Sequence, residues 1–204
     1  MAKRSYSMQR RAAFEAKTRE RIVRATVELH AKHGGLGTSY AMIAKRAEVA
    51  PQTVYNHFPE LGALFGACTR HVLDRAPPIG METFRSGRSP VARLGLLAAA
   101  VFARHAFLTP WMRISWYEAA LIPEMGAILA RGNGILRQLI AAAIAPDREP
   151  TAGFVDAAFV LLDYPAWQEL TRSRSSPEAA RIAGDCLADL LPRLTRSQPR
   201  KGKS

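Results

Sequence analysis

The sequence predicts an all-α protein, with a short N-terminal helical domain followed by a longer, more apolar helical domain. Three observations carry this. Sustained apolar–polar alternation, the mark of a half-buried strand, is absent, whereas apolar residues at three- and four-residue steps are plentiful. GGLG at 34–37, and APPIG and SGRSP between 76 and 90, punctuate the helical stretches. Charge also divides along the chain. Residues 1–75 hold 13 Lys/Arg against 6 Asp/Glu, residues 76–192 hold 11 against 11, and residues 193–204 hold five basic residues and no acid. These make up the net +12 of the 204 residues.

In chain order, MAKRSYSMQRR opens a basic segment, residues 1–16, read as a flexible arm; no apolar run follows its charges, so it is not a secretory signal. A first helix over 17–33 carries Ile22, Ala25, Val27 and Leu29, with Glu15–Arg19 and Glu20–Arg24 at supporting i,i+4 spacing. GGLG ends it. Thr38 or Ser39 caps a second helix to about Ala47, a third begins at Pro51, and a fourth spans Glu60 to Asp74. Helices are then expected over 91–108, 110–122, 124–145, 151–172 and 177–195, with Pro165 kinking or ending the fourth of these. FVDAAFVLL at 154–162 is apolar nearly all round, which suits either a core centre or a helix packed on both its own domain and a second subunit. The expected domains are therefore 17–75 and 76–195, followed by a basic disordered tail, 196–204.

A hydrophobic content of 48% excludes wholesale disorder. The longest apolar run, LGLLAAAVFA at 94–103, falls short of the roughly 18 residues of a spanning helix, so no membrane partner is expected. Cys68 and Cys186 have no framework spacing, which makes a reduced, cytoplasmic chain the expectation. The basic first third suits a polyanion, although the same balance suits a solvated surface.

The stretch PQTVYNHF, 51–58, decides between these. Val54 and Phe58 share one helix face, leaving Gln52, Thr53, Tyr55, Asn56 and His57 on the others. Only EVA, 48–50, separates this helix from the preceding one, so the two cross steeply, with Ile43, Ala44, Ala47, Val49, Val54 and Phe58 filling the angle. That is a helix-turn-helix, whose second helix lies in the DNA major groove.

With RIVRATVEL (21–29), Gly34, TS (38–39), IA (43–44) and TVYNHF (53–58) in register, the sequence resembles the TetR family of transcriptional regulators over roughly residues 17–65. The resemblance implies three DNA-binding helices, a connecting fourth, and a helical domain that binds a ligand and dimerises through its last two long helices. It implies that Ser39, flanked by Thr38 and Tyr40, meets phosphate. Thr53, Tyr55 and His57 match positions that contact phosphates or bases, and Pro51, Gln52 and Asn56 occupy the variable reading positions. An amide such as Gln52 bonds adenine N6 and N7 in a bidentate manner, worth ~1–3 kcal/mol of discrimination. Four positions depart from the family pattern. Glu48 replaces the turn glycine and is expected to be left-handed; Ala50 replaces the capping serine; Leu61 replaces a phosphate-facing lysine; and Ala41 replaces a longer side chain. Lys3, Arg4, Arg10 and Arg11 offer compensation along phosphates or in the minor groove, or else belong to a solubilising arm.

In the second domain, Phe102, His105, Trp111, Met112, Trp116, Tyr117 and Met125 are the candidate ligand-binding residues, with Phe107, Arg104 and Arg113 nearby. The same aromatics suit plain core. Phe154, Val155, Phe159, Ile182, Leu187 and Leu190 are the candidate dimer interface, while Arg181–Asp185 and Asp189–Arg193 mark the solvated side of the last helix. His30-x2-His33 and Cys68-x2-His71 place possible zinc ligands one turn apart, but core and solvated roles explain them as well; no metal and no cofactor is expected. No Gly-rich phosphate loop, GxSxG or HExxH occurs, and Asp156 and Asp163 are explained as a capping or solvated pair, so no enzyme is expected. The reading is a homodimeric repressor on a near-palindromic double-stranded DNA operator, released by a small, largely apolar effector. The alternative is a TetR-like DNA-binding protein that answers to a protein partner or organises DNA without such an effector.

Overall fold

The computed structural model describes residues 2–196, with side chains from Met8 onward. The helices are α1 (Ala2–His33), α2 (Tyr40–Ala47), α3 (Pro51–His57), α4 (Leu61–Leu73), α5 (Pro90–Glu118), α6 (Pro123–Ile144), α7 (Ala152–Leu162), α8 (Tyr164–Leu170) and α9 (Ser176–Leu194), with a 3-10 turn at Met81–Phe84. Among the described residues the chain is all-α; its β structure amounts to an isolated bridge at Arg148. It divides into two compact units, Met1–Arg75 with Arg113–Gly126, and Ala76–Met112 with Ala127–Ser204. The first unit breaks after Arg75, and residues 113–126 group with it rather than with the second unit.

Three elements differ from expectation. First, α1 begins at Ala2, so the segment expected as a flexible arm is helical. No Gly or Pro interrupts it, Ala12, Ala13 and Ala16 favour helix, and Arg11 pairs with Glu15 at 3.1 Å. Second, α5 runs through Pro110 instead of breaking there. Burial of Leu94, Leu97, Ala98, Val101 and Phe102 holds the stretch before the proline, and Glu118, bonded to the Gly35 and Leu36 N–H groups, anchors the stretch after it. Third, the expected helix over 151–172, in which Pro165 was expected to make a kink or an end, is two helices. Asp163 (φ −73°, ψ 163°) ends α7 and caps α8 by accepting from the Tyr164 N–H at 2.7 Å, with Pro165 in the first turn of α8. Of the expected tail, residues 197–204 lie outside the described residues.

The first unit packs α1, α2, α3 and α4 around Ile22, Val23, Ile43, Ala44, Val54, Phe58 and Leu64. In the second unit α7, α8 and α9 pack on one another. There the buried Arg93 ties the start of α5 to the end of α6, donating to the Ala143 carbonyl and to Asp147, each at 2.5 Å. By length and composition alone α5 and α6 could each cross a membrane, although no single unbroken apolar run reaches that length. Both give an apolar face to the core, which a soluble protein's helix does too.

Candidate nucleic-acid interface

The reading head is assembled from local rules and two long-range bonds. Ser39 caps α2, its Oγ accepting from the Met42 N–H at 3.3 Å, while the Thr38 hydroxyl donates to the Gly34 carbonyl at 2.6 Å. The turn into α3 passes through Glu48 at φ 54°, ψ 50°, the left-handed conformation that a glycine would adopt at less cost. Ala50 gives α3 no side-chain cap, and Pro51 occupies its first turn. Val54 and Phe58 are fully buried and seat the helix on α1 and α2.

Of the sequence-predicted contact residues, Ser39, Pro51, Gln52, Tyr55 and Asn56 are exposed, and Thr38, Tyr40, Thr53 and His57 are half-buried. The side-chain amide of Gln52 donates to Oδ1 of Asn56 at 3.0 Å. Tyr40 is turned into the protein: its hydroxyl donates to the Phe58 carbonyl at 3.0 Å, and its ring lies 4.5 Å from that of Tyr55. Sequence reasoning missed Arg19. Its guanidinium donates to the His57 carbonyl at 2.9 Å and lies 4.0 Å over the Phe58 ring. The sequence placed it only as an i,i+4 partner of Glu15, which pairs with Arg11 instead. Around the head, Arg10, Arg11, Arg24, Lys45 and Arg46 are exposed, with Arg46 paired to Glu28. Lys3 and Arg4 lie outside the described side chains. Ala41 and Leu61 are exposed.

Beneath the head, GGLG turns α1 into α2 with Gly34 at φ 73°. The buried Glu118 carboxylate, contributed by the end of α5, accepts from the Gly35 N–H at 2.7 Å and the Leu36 N–H at 3.1 Å. Burial holds the nearby His30 imidazole down to about 4, against the opposing pull of Glu118, and its ring stacks on Phe65 at 5.1 Å. The Cys68 thiol, pushed up to about 12 by burial, points at the Val23 carbonyl. His33 is exposed and His71 half-buried. Among the described residues, no three His, Cys, Asp or Glu side chains gather as a metal site would require.

Of the candidate ligand-binding residues, Phe102, His105, Trp111 and Met112 belong to the second unit, and Trp116, Tyr117 and Met125 to the first. His105 donates from Nε2 to the Leu162 carbonyl at 2.9 Å, and its ring lies within 5.6–6.2 Å of Phe102, Tyr164 and Trp167. Burial lowers its pKa, partly offset by that bond. Tyr164 and Trp167 were not among the predicted residues; YPAW was absorbed into one long helix, which hid them. Trp111 lies 6.1 Å from Phe107, Tyr117 is exposed, and Met125 is buried. Arg104 donates to the Pro77 carbonyl at 2.6 Å.

The candidate dimer residues also separate. Phe154 and Leu187 are fully buried within one chain and Phe159 nearly so, so they form core rather than a surface for a partner. Val155, Ile182 and Leu190 remain partly open, and Val160, not predicted, is 65% exposed. Arg181 and Asp185 pair at 2.8 Å on the solvated side of α9.

Three comparisons bear on this geometry. The family described as "Bacterial regulatory proteins, tetR family" matches residues 22–68, a stretch that contains α2 and α3. The HTH-type transcriptional repressor KstR of Rhodococcus jostii (strain RHA1) is 29% identical over 175 residues, covering 79% of this chain and 77% of that protein. Among solved structures, a transcriptional regulator from Rhodococcus sp. Rha1 superposes with a TM-score of 0.65 at 20% identity, over 89% of this chain and 99% of that one. The multidrug binding protein EbrR, crystallised with imidazole, superposes with a TM-score of 0.56 at 21% identity, over 84% and 89%.

Proposed function

We propose, from the match of residues 22–68 to the tetR family and from the 29% identity to a repressor, that this chain is a TetR-type homodimeric repressor that reads near-palindromic DNA through α3 and leaves it when a small, largely apolar effector binds. The observation that carries the DNA-reading half is the exposed polar face of α3, Pro51 to His57, standing on the fully buried Val54 and Phe58 within a basic unit. Gln52 and Asn56 read bases; Ser39, Thr53, Tyr55 and His57 orient the head on phosphates.

The effector half is supported by the aromatic surround of His105 and by the name of one structural neighbour as a multidrug binding protein, and the repressor sign by the name of the KstR relative. Aromatic walls with few polar groups suit a largely apolar, aromatic or aliphatic molecule. One helix, α5, holds both His105 and Glu118, and Glu118 holds the α1–α2 turn. An effector that shifts α5 therefore acts on the reading head without touching DNA.

Linkage supplies the experiment. Coupling of ~1–3 kcal/mol, roughly 5–150-fold, must appear both as weaker DNA binding with effector and as weaker effector binding with DNA. The tryptophans, above all Trp167 beside His105, report binding by fluorescence. An apolar ligand that quenches them with the same affinity in the presence and absence of bound duplex would contradict the effector reading.

A further inference from the structure

The two ends of α3 are held very differently. At its N-terminal end the helix has no side-chain cap at Ala50 and is entered through the left-handed Glu48. Seven residues are far too few for a helix to persist without outside support. At its C-terminal end, two successive carbonyls accept bonds from other helices. Arg19 of α1 donates to the His57 carbonyl at 2.9 Å, and Tyr40 of α2 donates to the Phe58 carbonyl at 3.0 Å. The cation of Arg19 also sits where a helix end is negative, and its guanidinium lies 4.0 Å over the ring of the fully buried Phe58. Tyr40 further places its ring 4.5 Å from Tyr55, which is half exposed on the reading side.

We propose that Arg19 and Tyr40 are positioning residues for sequence recognition, a clamp that fixes the rotation and depth of α3. The proposal rests on α3 being the helix that reads DNA. Base recognition by a bidentate amide needs donor and acceptor aligned within a few tenths of an ångström, whereas a phosphate contact tolerates much looser geometry. Loosening the C-terminal end of α3 therefore degrades discrimination between sequences and leaves general affinity for DNA nearly intact. Neither residue needs to touch a base. Burial raises the Tyr40 phenol above its ordinary value, which keeps it a neutral donor at working pH.

The test uses the full chain and a duplex that the unaltered protein enriches from a random pool, with a shuffled duplex of the same composition as reference. Affinities for both are measured across salt for Tyr40→Phe, Arg19→Lys and Arg19→Gln. The clamp predicts that each variant loses about 3- to 10-fold on the enriched duplex, the worth of one hydrogen bond, and almost nothing on the shuffled one. Arg19→Lys, which keeps the charge, should fail to rescue, and the salt slope should stay unchanged. Amide exchange at Thr53 to Phe58 should quicken in Tyr40→Phe, whose fold is otherwise undisturbed. The opposite pattern overturns the proposal: Arg19→Lys behaving as the unaltered protein, and Arg19→Gln weakening both duplexes equally with a salt slope lower by about one, marks Arg19 as a phosphate contact. An unchanged enriched-to-shuffled ratio in Tyr40→Phe overturns the role of Tyr40. If the unaltered protein enriches no sequence at all, the DNA-reading premise fails instead, which is a distinguishable result.

Discussion

The side-chain amide of Gln52 donates to Oδ1 of Asn56 at 3.0 Å, so the two amides on the open face of α3 form one joined unit, one turn apart. Each keeps further hydrogen-bonding capacity for a base edge. The pair should therefore act together. Gln52→Ala should relax preference at one base position per half-site, costing ~1–3 kcal/mol against the preferred base. The Gln52→Ala/Asn56→Ala double variant should lose less than the sum of the singles. Binding measured on duplexes substituted at each position checks this; strict additivity would show that the amides work independently.

The clasp of Glu118 on the α1–α2 turn predicts a stability effect. Glu118→Ala leaves the Gly35 and Leu36 N–H groups without their acceptor and should destabilise the protein by about 1–3 kcal/mol per unsatisfied group, less where water enters. Glu118→Gln keeps one acceptor oxygen and should cost less. Denaturant unfolding of both variants decides it: equal losses would mean that the charge, rather than the two hydrogen bonds, does the holding.

His30 predicts a pH dependence. Its folded pKa, lowered to about 4 by burial, lies below the ordinary value of 6.5, so below that value the unfolded chain binds a proton that the folded chain refuses. Stability from this group is full above pH 6.5 and falls as pH drops toward 4, by on the order of 2 kcal/mol at pH 5. His30→Phe, which preserves the stack on Phe65, should flatten that portion of the profile. Stability curves of the two proteins that stay parallel between pH 7 and 5 would contradict it.

Assembly is predicted to run through the open stripe of α9. Ile182, Cys186 and Leu190 follow at i,i+4 spacing, and none of them is buried within the chain. Ile182→Glu combined with Leu190→Glu should yield a folded monomer by light scattering, and alkylation of the exposed Cys186 should be faster in that variant. Cys68, held as a buried thiol, should react only on unfolding.

What could be read from the sequence follows the range of the interactions. The helix-turn-helix was legible because its determinants are local: the Val54/Phe58 face, the Ser39 cap, the uncapped Ala50 and the left-handed Glu48 all lie within a few residues of what they shape. Arg19 was not, because its partner carbonyl lies 38 residues away, nor was Glu118, 83 residues from Gly35. The start of α1 was missed because the leader was read from its charge, not from its lack of helix breakers. Pro110 misled in the opposite direction, since α5 is anchored on both sides of it, by buried Leu94 to Phe102 before and by the bonds of Glu118 after. Periodicity marked Phe154 and Leu187 as apolar, but it could not tell a face buried in its own chain from one awaiting a partner.

The central claim, that α3 of a two-fold dimer reads DNA, is tested most directly by sequencing the duplexes that the full-length protein enriches from a random pool at near-physiological salt. A two-fold dimer should enrich an inverted repeat whose half-sites are centred one helical turn apart, about 10–10.5 base pairs, or a multiple of it, with Gln52→Ala blurring the same position in both halves. Enrichment of a single unrepeated site, or of no sequence at all, would contradict it.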